Sequence, residues 1–220
     1  VGLSTGDSIN QWMDLSMQSS AATNKTGSLI PKIKLDEYGD GLDIIDLEGG
    51  YLDTYLKTHT NQDATMFFVY DRQAVATGWD ALFDAWSHSS YNTWYLYDNR
   101  DNNASQSAMI GNNWQYFNSG NSNELNILTV RVTALTGEAN LNGVEVLDTH
   151  DISFRDSNSF RNDRIVRIGR EANNSSSQTS DAHLAEILVF YDDLSDEDMQ
   201  KVSYYLSKKW GVSDYVDSDS

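Results

Sequence analysis

The sequence predicts an all-β protein, a two-sheet antiparallel β-sandwich that carries one short α-helix near its C-terminal end. Short segments rich in β-branched and aromatic residues recur along the chain, with polar loops between them. Asn142-Gly143 lies between two such segments, and this dipeptide favours the type I′ turn of a β-hairpin. Apolar residues recur at helical spacing after the last predicted strand.

The individual strand segments differ in their patterns. Residues 64–70 form a continuous apolar run, which is typical of a central strand. Residues 125–135 and 164–169 alternate, so that each strand is predicted to turn one face towards the core. Residues 91–97 hold four aromatic side chains, and residues 183–191 form an apolar run predicted to be buried on both faces.

The C-terminal segment predicts a capped amphipathic helix. Ser195 suits the N-cap, with Asp198 three positions on as a near capping box, and Gly211 suits the C-terminal stop. The charges match the helix dipole, because acidic residues stand in the first turn and Lys208-Lys209 in the last. One face is apolar and is predicted to be core: Met199, Val202, Leu206 and Trp210.

The segment AEILVFYDDLSDEDMQKVSYYLSKKWG resembles the closing motif of bacterial laminin-G-like jelly rolls, in the concanavalin A-like lectin/glucanase superfamily. Three further segments resemble that family in the same order: the W-x-D-x-S at residues 12–16, LDIIDLEGGYLDTYL at 42–56 and GEANLNGVEV at 137–146. The resemblance implies one concanavalin A-like jelly-roll domain over residues 1–212, with 213–220 as a polar tail or linker. Trp12 and Trp210 fall in these motifs and are predicted to be structural. The family usually has an apolar strand before the first of these motifs, and here only residues 1–10 precede it.

The charge balance excludes several classes of partner. Fifteen basic against 33 acidic residues give a net charge of −18, which argues against nucleic acid and against anionic membrane surfaces. No apolar stretch reaches 18 residues, so no membrane insertion is expected.

No cysteine is present, so the fold must do without disulfides. The absence of a signal peptide and of an initial Met suggests a monomeric module cut from a longer secreted chain with flanking modules.

The acidity has two interpretations, a surface adapted to salty water or a set of calcium ligands, and both can hold. Calcium prefers carboxylate and carbonyl oxygens. Oxygen-bearing side chains cluster in polar loops and are the predicted metal ligands: Asp98, Asp101 and Asn103, then Asp156 and Asp163, and Asp181 before the last strand. Ca²⁺ is therefore the expected cofactor.

Catalytic motifs are not found in the sequence. The glucanase branch of the superfamily carries E-x-D-x-x-E on one strand, and no such segment exists here. The four His residues lack metal-type spacing, and no G-x-S-x-G elbow is present. The chain is therefore predicted not to be an enzyme, with a polysaccharide-active enzyme as the least favoured alternative.

Sugar binding needs polar hydrogen-bonding groups beside an aromatic platform. Such groups stand together in and beside the polar loops, where a β-sandwich builds its recognition sites. The predicted carbohydrate-binding residues are Trp79, Asp80, Trp86, His88, Tyr91, Asn99, Arg100, Asn113 and Trp114.

The function that the sequence favours is calcium-dependent, lectin-like carbohydrate binding, as a module of a large secreted bacterial cell-surface adhesin. The expected partners are glycans on host cells, algae or biofilm matrix, and the expected location is extracellular. A non-catalytic protein-binding or structural spacer domain of the same parent is the alternative. Fold resemblance alone does not decide between them.

Overall fold

The computed structural model describes residues 2–16, 21–39, 41–55, 63–73, 80–84, 93–99, 105–111, 113–118, 123–133, 136–151, 165–170 and 179–216. These residues form two antiparallel sheets and one helix, which confirms the predicted all-β sandwich with a single C-terminal helix.

One sheet has eight strands. Their order across the sheet is β1 (Gln11–Trp12), β2 (Ala22–Thr23), β5 (Leu52–Tyr55), β14 (Ile165–Ile168), β7 (Asp80–Asp84), β8 (Thr93–Asn99), β9 (Ser105–Gly111) and β10 (Asn113–Asn118).

The other sheet has seven strands. Their order is β13 (Val144–Asp151), β12 (Thr136–Leu141), β11 (Asn126–Val132), β6 (Ala64–Asp71), β15 (His183–Phe190), β4 (Ile44–Asp46) and β3 (Lys32–Lys34).

Apolar side chains from the facing sides of the two sheets form the main core. Phe68 of β6 packs edge-on against Phe83 of β7, with ring centroids 5.3 Å apart. Leu128, Val130 and Val132 of β11 belong to the same cluster, as the alternation in this segment predicted. The sandwich is therefore closed by side chains that every second strand position contributes.

The helix α1 (Asp196–Trp210) forms a third layer on the outer face of the seven-stranded sheet. Its buried residues Met199, Leu206 and Trp210 pack with Phe67 and Val69, which are the β6 side chains that face away from the other sheet. All eight residues of β6 are buried for this reason, and the prediction of a central strand is confirmed.

Both helix ends follow the capping that the sequence predicted. The Ser195 hydroxyl accepts a hydrogen bond from the Asp198 backbone N–H at 3.1 Å. Gly211 takes the left-handed conformation at φ 63° and ends the helix. Trp210 also donates its indole N–H to Glu186 at 2.6 Å, which attaches the last turn to β15.

The predicted hairpin is present, with Asn142 at φ 50° and Gly143 at φ 82° between β12 and β13. The prediction for the last strand holds only in part. Residues 183–185 are buried, but residues 186–190 are partly exposed. The physical reason is that β4 is only three residues long and pairs with β15 at His183 and Leu184 alone.

The segment before β1 runs beside β3. The backbone N–H of Ile9 donates to Pro31 at 2.7 Å, and that of Ile33 donates to Asp7 at 2.9 Å. Trp12 packs partly buried against the main core, in keeping with its predicted structural role. Among the residues described, no helix has the length and apolarity that crossing a bilayer requires.

Candidate functional site

A row of charged residues crosses the outer face of the eight-stranded sheet. Arg167 on β14 is the register partner of Asp53 on β5 and of Asp84 on β7. Val166 and Ile168, on either side of Arg167, belong to the inter-sheet core. Because side chains alternate along a strand, Arg167 and its two partners lie on the face that points away from the other sheet.

These charged side chains are buried, although the outer face of a sandwich usually meets water. The exposed fraction is 4% for Asp53, 0% for Asp84 and 8% for Arg167. Arg167 donates from Nε to Asp53 Oδ1 at 2.7 Å and from its terminal nitrogen to Oδ2 at 3.2 Å. This two-point pairing satisfies the charges of Arg167 and Asp53 where water is excluded.

Tyr51 extends this cluster towards the surface. The guanidinium carbons of Arg167 and Arg170 lie 4.5 and 5.4 Å from the centre of its ring. The Tyr51 hydroxyl shares a 2.8 Å hydrogen bond with Thr26, and its carbonyl accepts from the Asn24 side chain at 3.0 Å. The ring is therefore held in place between the sheet and the loop that begins at Asn24.

The arrangement combines carboxylates, guanidinium groups and an aromatic ring in a space that excludes water. Asp53 and Asp84 flank Arg167 two strand spacings apart, about 9.6 Å between Cα atoms. Groups of these types read the hydroxyls and the apolar face of a sugar ring. Tyr51, Asp53 and Asp84 are each less than 5% exposed, so the cluster fixes the strands of this face and a ligand would meet the surface around it. The cluster is assembled from strands that are distant in the sequence, so a search for acidic residues on one strand could not find it.

Five of the predicted carbohydrate-binding residues lie outside the described residues: Trp79, Trp86, His88, Tyr91 and Arg100. The other four belong to the eight-stranded sheet, and their backbone is described: Asp80, Asn99, Asn113 and Trp114.

The strand register brings two of these four residues together. Asp80 at the start of β7 is the Cα partner of Asn99 at the end of β8. Trp114 belongs to the same register row as Asp84, through Tyr95 and Met109, three strands and about 14 Å away.

Asn113 lies far from Asn99. Its register partner is Ile110, whose own partner on β8 is Trp94. Trp94 is five positions from Asn99, about 17 Å along the strand. The four predicted residues whose backbone is described are therefore spread over both ends of one sheet.

The predicted metal ligands are described only in part. Asp101, Asn103, Asp156 and Asp163 lie outside the described residues, and of Asp98 the backbone position in β8 is described. Asp181 is exposed before β15. Its pKa is raised by partial loss of hydration and by the negative charges of Asp46 and Glu48. In the described ranges no three acidic or His side chains are grouped so as to hold a metal ion.

Asp53, Asp84 and Arg167 were not among the site residues predicted from the sequence. A signal was present, because Arg167 stands between Val166 and Ile168, and a charged residue between core positions needs a partner. The identity of the partner depends on the order of strands in the sheet, which the sequence pattern does not contain.

A second buried polar cluster lies near the β3 edge of the seven-stranded sheet. The Lys34 ammonium donates to His183 Nε2 at 2.8 Å, and His183 Nδ1 lies 3.2 Å from the Tyr38 hydroxyl. Tyr38 in turn donates to Asp71 Oδ2 at 2.5 Å, and Gln73 donates to the same oxygen at 2.6 Å. A neutral imidazole that carries its proton on Nδ1 satisfies this chain of hydrogen bonds.

Burial and neighbouring charges both shift the pKa values of the groups in this cluster. The pKa of His183 is lowered by burial and then by the Lys34 charge, although Asp46 and Asp71 oppose the shift. The pKa of Asp71 is raised by burial, against the stabilising hydrogen bond from Tyr38. His183 is therefore held neutral beside a lysine, and the cluster connects β15, β6 and β3.

The comparisons with known proteins found similar structures but no similar sequences. No protein-family model matches the sequence, and no curated protein matches it significantly. A sialidase of Trypanosoma rangeli, bound to 2,3-difluoro-KDN, is similar with a TM-score of 0.65 at 10% identity, over 93% of this chain and 32% of that one. The botulinum neurotoxin serotype D binding domain is similar with a TM-score of 0.60 at 11% identity, over 90% of this chain and 51% of that one.

A structure of botulinum neurotoxin type C, whose cell entry is described as dependent on interaction with two ganglioside molecules, has a TM-score of 0.52 at 10% identity. It is matched over 92% of this chain and 45% of that one. The likeness at these identities establishes a shared fold, which fits a jelly-roll, concanavalin A-like sandwich. The chain spans a third of the sialidase and about half of the toxin domains.

The comparison also corrects one prediction. The chain was predicted not to be an enzyme because it lacks the E-x-D-x-x-E strand, but sialidases are among its structural neighbours, with TM-scores up to 0.65 over 32% of their chains. The buried Asp53 and Asp84, contributed by separate strands, show that carboxylates converge here without that motif. The missing motif therefore does not exclude catalysis.

The ion pair of the charged row can be tested by removing its cation. Substitution of Arg167 by Met leaves Asp53 buried without its partner, so we expect a loss of about 3–5 kcal/mol in the free energy of unfolding, measured by urea denaturation. The double variant R167M/D53L should recover part of this loss. Lys201→Met, which removes an exposed helix cation, is the control and should hardly move the midpoint. A stability of R167M equal to that of the control would contradict the buried pairing.

The His183 cluster makes a pH-dependent prediction. In the folded protein the imidazole pKa should lie below its ordinary value of about 6.5, and Lys34→Met should raise it, because the nearby positive charge is lost. NMR titration of the His183 ring measures both values. Lys32→Met is the matched control, since Lys32 pairs with Glu48 instead. Equal shifts in the two variants would show that the Lys34 contact has no special effect.

The sign of the stability effect follows from the lowered pKa. The unfolded chain binds the proton more readily than the folded chain, so stability is retained above the unfolded pKa and falls as pH drops below about 6.5. This fall should be smaller in K34M than in the unchanged protein.

Proposed function

We propose that this chain is a glycan-binding module that uses the outer face of its eight-stranded sheet and the strand ends beside it. The buried charged row supports this proposal most strongly, because it fixes β5, β14 and β7 in place on this face. Charged groups on the outer side of a sandwich need no burial for folding, and burying them costs free energy unless partners are supplied. Here Arg167 and Asp53 are each other's partners, next to the Tyr51 ring and the guanidinium of Arg170.

Four of the predicted carbohydrate-binding residues belong to strands of this sheet. Asp80 and Asn99 are backbone partners at one end of the sheet, and Trp114 shares the register row of Asp84. Solved structures with the same fold include a sialidase with a bound sugar-like ligand and a toxin whose entry depends on gangliosides. Carbohydrate recognition is the chemistry that these observations have in common.

The finer parts of the proposal rest on the sequence. The closing motif resembles laminin-G-like domains of large secreted bacterial adhesins, so we place the module in such a parent, outside the cell, with surface glycans as partners. Calcium is proposed to brace the polar loops through Asp98, Asp101, Asn103, Asp156, Asp163 and Asp181. The pKa of Asp181 is raised by partial burial and then by the charges of Asp46 and Glu48, and a bound cation would offset that negative charge.

A glycan array in millimolar calcium tests the binding proposal. We expect the protein to retain a defined set of glycans, and Trp114→Ala to weaken their binding about two- to tenfold, the range expected from the loss of one aromatic contact. Tyr205→Ala is the matched control, because Tyr205 is an exposed aromatic residue on the helix, 57% accessible. It should bind as the unchanged protein does.

An array without any retained glycan would overturn the proposal and favour the protein-binding or spacer alternative. A reducing-end assay on the retained glycans, after prolonged incubation, separates binding alone from binding with hydrolysis. Release of new reducing ends would identify the site as catalytic.

The calcium proposal is tested by thermal unfolding in EDTA and in calcium. A ligand that binds the folded state alone raises its stability by about 2.7 kcal/mol at a hundredfold excess over Kd. The melting temperature should therefore rise with calcium, and less with equal magnesium. Identical melting in EDTA and calcium would contradict a structural site.

A further inference from the structure

A groove of about 260 Å³ lies on the other side of the molecule, between α1 and the hairpin of β12 and β13. Its floor is the outer face of the seven-stranded sheet, and Thr129, Arg131 and Asn140 line it from the strands. Gln200 lines it from the helix, and Tyr215 from the segment that follows the helix.

The segment after the helix forms a fixed wall of this groove. The Val216 backbone N–H donates to the Asn142 carbonyl at 2.8 Å, and the Tyr215 hydroxyl donates to the Gln200 carbonyl at 3.4 Å. A Cβ atom at Gly143 would lie 2.2 Å from the Val216 carbonyl oxygen. The turn glycine thus serves two purposes, because it permits the hairpin and lets the chain pass close above it.

The lining has the two components that saccharide recognition needs. Asn140 and Gln200 are partly buried amide side chains, and they stand beside the hydroxyls of Thr129 and Ser203, which are 3.1 Å apart. Tyr215 supplies an aromatic wall, and its ring meets that of the half-exposed Tyr204 edge-on at 6.5 Å. Amides and hydroxyls bind sugar hydroxyls, while the ring covers the apolar face of a sugar.

The charges in the groove discriminate between sugars. Arg131 is already paired with Glu138 and Asp196, both at 2.7 Å, and it donates to the Leu194 carbonyl at 2.9 Å. Its positive charge is therefore used within the fold, and exposed Glu145 adds a negative charge at the rim. An anionic sugar would face the net negative charge of Glu138, Asp196 and Glu145 around one arginine, whereas a neutral sugar can use these carboxylates as acceptors.

We propose that this groove is a second saccharide site that takes one neutral monosaccharide unit and rejects sialylated or otherwise anionic sugars. A volume of about 260 Å³ is below the range of pockets for drug-sized ligands, which limits the occupant to about one ring. The proposal rests on the proposed glycan-binding function, but it concerns a different face of the molecule and a different specificity.

The experiment is an NMR titration of the whole chain with three probes: methyl β-galactoside, methyl α-mannoside and the methyl glycoside of N-acetylneuraminic acid. We expect at least one neutral glycoside to shift the amide signals of Asn140, Gly143 and Gln200 in a saturable way, and the sialoside to leave them unchanged. Glu145→Ala should weaken the response severalfold. Because Glu145 is exposed, this variant should keep the fold.

Glu197→Ala is the matched control, since Glu197 is an exposed acid on the helix outside the groove. It should titrate as the unchanged protein does. Tyr215→Phe, which keeps the ring and removes the hydroxyl, should retain most of the response if stacking dominates.

The outcomes separate this inference from the proposed function. Glycan-array binding that Trp114→Ala weakens, without saturable groove shifts for either neutral glycoside, would overturn the second site and leave the proposed function standing. Groove shifts that are equal for the sialoside, or unchanged in E145A, would also overturn it. Groove shifts with no effect of Trp114→Ala on the array would instead support the groove and overturn the eight-stranded sheet as the site.

Discussion

The strand β6 imposes the constraint on which the rest of this structure depends. Its eight residues are all buried, and alternate side chains point to opposite faces of the seven-stranded sheet. Each face of β6 therefore needs an apolar cover. The second sheet supplies one cover through Phe83 and its neighbours, and α1 supplies the other through Met199, Leu206 and Trp210.

This constraint decides which surfaces remain available for function. The helix occupies the outer face of the seven-stranded sheet over β6 and leaves the hairpin side of that face open as a groove. The outer face of the eight-stranded sheet has no helix among the described residues, and it carries the buried row of Asp53, Arg167 and Asp84. The packing of the helix and the two sheets therefore separates the residues that form the core from those of the two candidate sites.

The fold could be predicted from the sequence to a large extent because its signals are local. The run at 64–70, the Asn142-Gly143 turn and the Ser195 cap each depend on residues a few positions apart, and all three are present in the structure. The resemblance of the closing segment to laminin-G-like domains pointed to the same fold. The prediction that the last strand, β15, is buried was less accurate, because its burial depends on the length of its neighbour β4.

The candidate site could be predicted much less well, because its contacts join distant segments. Arg167 and Asp53 are 114 positions apart, and nothing in either segment specifies the other. The loops that the sequence favoured lie largely outside the described residues, and only Asp80 and Asn99 are brought together as partners. The absence of acidic residues at E-x-D-x-x-E spacing did not exclude catalysis, since strand pairing also places Asp53 and Asp84 on either side of Arg167.

Hydrogen–deuterium exchange with and without a glycan retained by the protein locates the binding face on the whole chain. We expect slower exchange in the peptides that cover residues 51–55, 80–84 and 165–170 when the glycan is bound. Saturating binding that leaves all three regions unchanged would contradict the assignment of the eight-stranded sheet as the glycan-binding face.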